Sequence, residues 1–292
     1  MKNTGRKGLI RWILFGVALV VLAIFILRFT SVGKLSEKTK LSLKLDKIVR
    51  VDTEVLISCE ALAAQKPLVI LALGQSNAGN HGARASDSDV PIALIADGKC
   101  IMAVDPLPGA TGVAGSIWYR LPRHFAQLQP RRPIVLSVLA VEATTIGEWT
   151  DEKSQLRERL SQHLKAMQGV KMPPNLILWQ QGEADAIIGT TEAGYSAGLD
   201  RLANIFEQEK IKAPIVLALS TVCRIDPSTP IRTAIEGKIA SDRRFKLGPD
   251  TDYDIHEGLR IKNCHFSAEG IDRAAQLWAG TIASFAPFPL RP

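Results

Sequence analysis

The 292-residue chain has no HExxH run, no close CxxC pair and no glycine-rich phosphate loop. The first two absences take away the common zinc motifs. The third leaves Arg243-Arg244 as a solvated turn rather than a phosphate clamp. His81, His124, His163 and His256 are scattered without metal-ligand spacing and are expected to make local hydrogen bonds. No metal and no cofactor are expected. Aromatic residues make up only 6% of the chain, which gives no sign of an aromatic-rich recognition surface. Internal repeats and Gly/Ser-rich linkers are also missing, so residues 67–285 are expected to form one domain with a substantial core.

Positive charge is scarce where a nucleic-acid channel would need it. The formal net charge is +7, but residues 1–50 hold 11 basic and 2 acidic residues, whereas the rest hold 25 basic and 27 acidic ones. The excess belongs to the N-terminal segment, and a convergent basic surface on the body has no compositional support.

That segment contains the one long apolar run. Leu9 to Phe29 is interrupted only by Arg11 and Arg28 near its ends. Long arginines snorkel to the boundaries of a bilayer and extend the usable span. No Ala-x-Ala-like cleavage sequence follows, which favours an uncleaved single-pass anchor over a signal peptide. Residues 1–30 are therefore expected to be tail and membrane anchor, in contact with lipid through 9–29. Residues 31–66 are expected to be a lysine-rich tether with an early extended element, and 67–292 the main domain with a short tail. Lysines flank both sides of the run, so charge alone does not orient it.

Within the domain, Leu68–Leu73, Ile134–Leu139, Leu176–Trp179 and Ile215–Leu219 are short apolar runs suited to buried strands. Glu152–Met167, Glu192–Gln208 and Ser267–Phe285 have helical length and mixed polarity. This alternation predicts an α/β fold with a mostly parallel sheet covered by helices.

Reactive side chains in such folds gather at strand ends. Gly74-Gln75-Ser76-Asn77 directly follows the first strand, and His265 precedes the closing helix. A serine hydroxyl becomes a competent nucleophile when a neighbouring base takes its proton, and Ser76 with His265 supply such a pair if the fold joins them. Trp179-Gln180-Gln181-Gly182-Glu183-Ala184-Asp185 adds amides and carboxylates at a third strand end.

These three segments, taken in order, resemble the SGNH-hydrolase superfamily, in particular its sialate O-acetylesterase and carbohydrate-acetylesterase branch, over residues 67–285. The resemblance implies a flavodoxin-like three-layer α/β/α fold and removal of O-acetyl groups from a carbohydrate or polysaccharide. It makes Ser76 the nucleophile and His265 its base. By the same resemblance the oxyanion donors are the Ser76 amide, a glycine amide matched here by Gly115 (or Gly112), and the Gln181 side chain. Gln75, Asn77 and Trp118 are the candidates for substrate contact. Carbohydrate O-acyl transfer and inactive glycan binding are the competing outcomes. An anchored carbohydrate esterase is expected to face the periplasm or the cell exterior.

The chain departs from the family at one position. The resembling proteins place an aspartate three residues before the histidine, where this chain has Lys262. Glu183 is the first substitute, because its segment lies at the same end of the sheet. Asp254, Glu257 and a Ser–His dyad with some other orienting group are also open. Of the four cysteines, Cys223 and Cys264 both lie near strand ends on the active face. A disulfide there would restrain the His265 loop, and two free thiols are equally compatible with the spacing.

Overall fold

A computed structural model describes residues 36–84 and 90–285. One compact unit runs from Leu43 onward, and a separate unit ends at Ser42. The expected membrane span, residues 9–29, lies outside the described residues. Among those described, no helix is long and apolar enough to cross a membrane.

The strands are β1 (Val55–Ile57), β2 (Leu68–Gly74), β3 (Ile92–Ala96), β4 (Lys99–Ala103), β5 (Ile134–Ala140), β6 (Leu176–Gln180), β7 (Ile215–Leu219), β8 (Phe245–Asp250), β9 (Arg260–Ile261) and β10 (His265–Phe266). The helices are α1 (Glu37–Leu45), α2 (Cys59–Ala64), α3 (Ile117–Leu128), α4 (Ile146–Thr150), α5 (Gln155–Gly169), α6 (Glu183–Ile188), α7 (Glu192–Gln208), α8 (Thr229–Ser241), α9 (Thr251–Asp254) and α10 (Ala268–Ser284).

Eight strands form one sheet in the order β1-β4-β3-β5-β2-β6-β7-β8. Strands β3, β5, β2, β6, β7 and β8 run parallel, and β4 and β1 add an antiparallel edge. The stretch β5-β2-β6-β7-β8 has the flavodoxin-like order, with its topological switch point between β2 and β6. All four apolar runs are strands of this parallel core.

Alternation along β2 separates two cores. Leu68, Ile70 and Ala72 face a cluster with Trp118 and Phe125 of α3 and Trp278 of α10. On the opposite face, Ser137 of β5 accepts from His163 Nε2 of α5 (2.8 Å) while its hydroxyl donates to Ile95 O (2.7 Å). Burial holds His163 down at about 4, so it is a neutral core hydrogen-bonder. Trp179 on β6 donates to the Tyr195 hydroxyl of α7 and meets Trp149 edge-on, closing the second layer. The result is three layers, α/β/α.

Residues 43–66 belong to the folded unit rather than to a tether. Strand β1 pairs with β4, and Cys59 is bonded to Cys100 across that edge. Lys44 and Lys47, which sequence alone assigns to a basic linker, pair with Glu148 (3.2 Å) and Glu142 (2.6 Å) of the domain.

Candidate active site

The site forms where β2 and β6 end side by side. Gly74 closes β2 with φ +149°, and a Cβ there would lie 2.0 Å from the carbonyl oxygen of Gln180. Only glycine allows this approach of the two strands. The chain then turns through a 3-10 segment, Ser76–Ala78, held by Ala78 N–H to Gln75 O and Gly79 N–H to Ser76 O, both 2.9 Å. Ser76 opens that turn, so its own N–H has no intrahelical acceptor, and none is supplied by other described residues.

Trp118 braces the turn from beneath. It is fully buried, and its indole N–H donates to Ala78 O at 2.7 Å. With its surface and its donor both occupied, it positions the turn and offers no face to a sugar, contrary to the sequence expectation.

His265 reaches the site on a hairpin. Strands β9 and β10 pair His265 with Ile261, and Cys264 N–H donates to Ile261 O. The two central turn residues, Lys262 and Asn263, have φ of +52° and +49°, as a type I′ turn requires. Lys262 is exposed at its tip, so it points its charge into solvent and supplies no partner to the imidazole. Three ties fix the hairpin: the Cys223–Cys264 disulfide, Arg224 N–H to Asn263 O (2.7 Å), and the buried Arg260. That guanidinium donates to the carbonyls of Ile255, Thr251 and Cys264 at 3.0, 2.6 and 2.9 Å.

Asn77 joins the two halves. Its Nδ2 donates to Cys264 O (3.3 Å), next to His265, and to Glu183 Oε1 (2.7 Å). Ser76 and His265, 189 positions apart, thus lie on adjoining segments. No direct hydrogen bond links their side chains among the described residues. Burial is the main cause holding the His265 imidazole below its ordinary value. His81, Arg224 and Arg260 add to this, and Glu142 opposes it. A neutral imidazole at neutral pH is the form that accepts a proton.

Glu183 takes a different place from the one expected. Its Oε1 accepts from Asn77 and from the Ser220 hydroxyl (2.9 Å), and it makes no hydrogen bond to His265. Burial raises its carboxyl to about 7 against three hydrogen bonds that lower it, while Asp252 raises it further. Asp254 and Glu257 are exposed and also make no bond to the imidazole.

The oxyanion candidates divide. The Gly115 amide is already spent on Gly82 O at 3.0 Å in a local bridge, so it has no donor left. Gln181 is fully buried, with Nε2 near Thr144 O (2.9 Å), Asp185 Oδ2 (2.6 Å) and Gln75 Oε1 (3.3 Å). Gln75 Oε1 in turn accepts from Ala184 N–H. Gln181 and Gln75 are therefore internal ties between strand ends. The loop after β5, bonded to the end of β2 through Val141 N–H to Gly74 O (3.0 Å), contains Ala143 at φ +51°. The amides of Ala143 and Thr144 have no acceptor among the described residues. Nothing in the residue types of this loop marks it, since the unusual conformation falls on an alanine.

Two residues outside the expected set complete the surroundings. His81 stacks near His265 with ring centroids 5.4 Å apart, and its Nε2 lies 3.0 Å from Thr111 Oγ1 and 3.7 Å from Glu142 Oε2. The described residues contain no cluster of three or more potential metal ligands.

An α/β domain of flavodoxin-like order, with the Ser76 turn and the His265 hairpin on adjoining segments at its switch point, is what fold and geometry define. Residues 66–234 match the family described as carbohydrate esterase, sialic acid-specific acetylesterase, and the chain belongs to it. Among solved structures it is similar to an Arabidopsis thaliana protein (20% identity, TM-score 0.58, covering 75% of this chain and 99% of that one). It is also similar to a carbohydrate acetylesterase from Xanthomonas citri (16%, 0.51, 74% and 56%) and to a variant of an acetyl-xylooligosaccharide esterase from Geobacillus (14%, 0.50, 77% and 96%). Identities this low carry the fold alone. No curated protein matches the chain.

Proposed function

We propose that the chain is a serine esterase that removes O-acetyl groups from a carbohydrate, with Ser76 as nucleophile and His265 as general base. The observation that carries this reading is the adjacency of the Ser76 turn, with its unspent amide, to a partly buried neutral histidine at the switch point. Ser76 Oγ attacks the acetyl carbonyl and its proton passes to His265. The oxyanion is met by the Ser76 amide, with the Ala143 and Thr144 amides as further donors. His265 then returns the proton to the departing sugar hydroxyl, and water releases acetate from the acetyl-serine.

Family membership supports the acetyl-sugar substrate. Bonding of all four cysteines in pairs fits an oxidising compartment, which supports an exported domain held to the membrane through residues 9–29. Acetate release from acetylated oligosaccharides is the direct test. Ser76→Ala is expected to lower kcat/KM by at least ~10³-fold, and unchanged turnover in S76A would sink the mechanism.

A further inference from the structure

The hairpin turn at Lys262 leaves His265 without a carboxylate from its own segment, yet a charged group reaches it from two other loops. Glu142, at the end of β5, lies 3.7 Å from His81, and His81 lies ring to ring with His265 at 5.4 Å. Both intermediates are held in place. Thr111 Oγ1 accepts from Glu142 N–H (2.9 Å) and sits 3.0 Å from His81 Nε2, so one hydroxyl spaces the two residues. Lys47 grips the other carboxylate oxygen of Glu142 at 2.6 Å. Resting on the Ser76–His265 reading above, we propose that Glu142, acting through His81, is the positioning acid of His265 and replaces the one absent at Lys262.

The charges around the base support this assignment. His265 is faced by His81 on the Ser76 loop, Arg224 after β7, Arg260 on β9 and Glu142 after β5. Three of these four disfavour a second proton on the ring, and Glu142 alone favours it. Glu142 is itself faced by Lys47, Lys44 and His81. Burial pushes its carboxyl up, but those neighbours together hold it below its ordinary value, so it stays ionised. His81 is kept neutral chiefly by burial. During acylation the Ser76 proton moves to His265 and from there to the leaving sugar oxygen. No proton needs to travel on to His81 or Glu142. His81, packed ring to ring against His265, orients the imidazole, and Glu142 behind it offsets the transient positive charge.

The test combines histidine NMR titration of the full-length chain with steady-state kinetics. Glu142→Gln is expected to lower the His265 titration midpoint and to reduce kcat about 10-fold with KM little changed. His81→Asn should lose kcat similarly, the double variant should be no worse than the poorer single one, and Glu142→Asp should recover part of the loss. An unmoved His265 midpoint in E142Q overturns the proposal, as does a midpoint shift with kcat unchanged, or losses that multiply. The titration needs no turnover, so it reads the coupling even if S76A shows that acetate release proceeds without Ser76.

Discussion

Asn77 Oδ1 and Glu183 Oε2 are buried at the centre of the site with no hydrogen-bond donor among the described residues. Two uncompensated acceptors are costly, and a proton on Glu183 removes part of that cost. Its carboxyl, raised to about 7 from an ordinary 4.5, keeps its proton in the folded state over a window where the unfolded chain has released it. Stability is therefore greatest below about 4.5 for this group and falls as pH rises to about 7, by on the order of 3 kcal/mol. Glu183→Gln, which cannot ionise, should flatten the dependence of the denaturant midpoint between pH 5 and 8. An equal slope in wild type and variant would show that Glu183 is not the group responsible. Ser76 and His265 were nominated in the sequence by strand-end placement together with the family resemblance of their segments, and the structure brings those segments side by side. The direction of Glu183 was not legible there, since knowing which end of the sheet a side chain occupies does not say which neighbour it faces. His81 was hidden for a similar reason: five residues beyond the serine, it carries no spacing that separates a site histidine from a surface one.

The β9–β10 hairpin is the element on which His265 depends, and its three-residue loop, 262–264, provides little internal structure. The disulfides allow a controlled test, because Cys223–Cys264 and Cys59–Cys100 each span 41 positions and so constrain the unfolded chain equally. Replacing either pair with alanine should cost about 2–4 kcal/mol, while kcat should fall sharply only when Cys223 and Cys264 are removed. Equal kcat in the two variants would show that the bridge at the hairpin has no role in placing the base. Legibility also varied by element. β2, β5, β6 and β7 are central and buried on both faces, so they read as continuous apolar runs. β8 does not, because Lys246 and Leu247 are partly or largely exposed and Gly248-Pro249 interrupt it at the sheet edge. β3 and β4 carried a readable signal, Asp97-Gly98 with positive φ at both residues, in a pair joined from Ala96 to Lys99; the apolar run alone did not disclose that hairpin.

At the level of the whole molecule, the alternation of strands and helices was enough to foresee a parallel, helix-covered sheet, while the antiparallel edge was not, because β1 is three residues long with two of them exposed. The edge nevertheless sets where the domain starts. A chain beginning at Leu43 should keep the thermal midpoint of the full-length protein. One beginning at Pro67 loses β1, leaves Cys100 unpaired and exposes β4 as an open edge, and should unfold several degrees lower and aggregate; indistinguishable midpoints would show that residues 43–66 add nothing to the fold. The placement of the proposed nucleophile and base also separates them in local stability. Ser76 hangs from β2, paired with β5 along its whole length and with β6 from Ile70 to Gly74, whereas His265 rides on a ladder of two residue pairs. Amide hydrogens of β2 should exchange only through global unfolding, and those of residues 260–266 through smaller openings once the bridge is reduced. On the proposed roles, reductant would then silence acetate release by freeing His265 while Ser76 and the sheet beneath it stay protected.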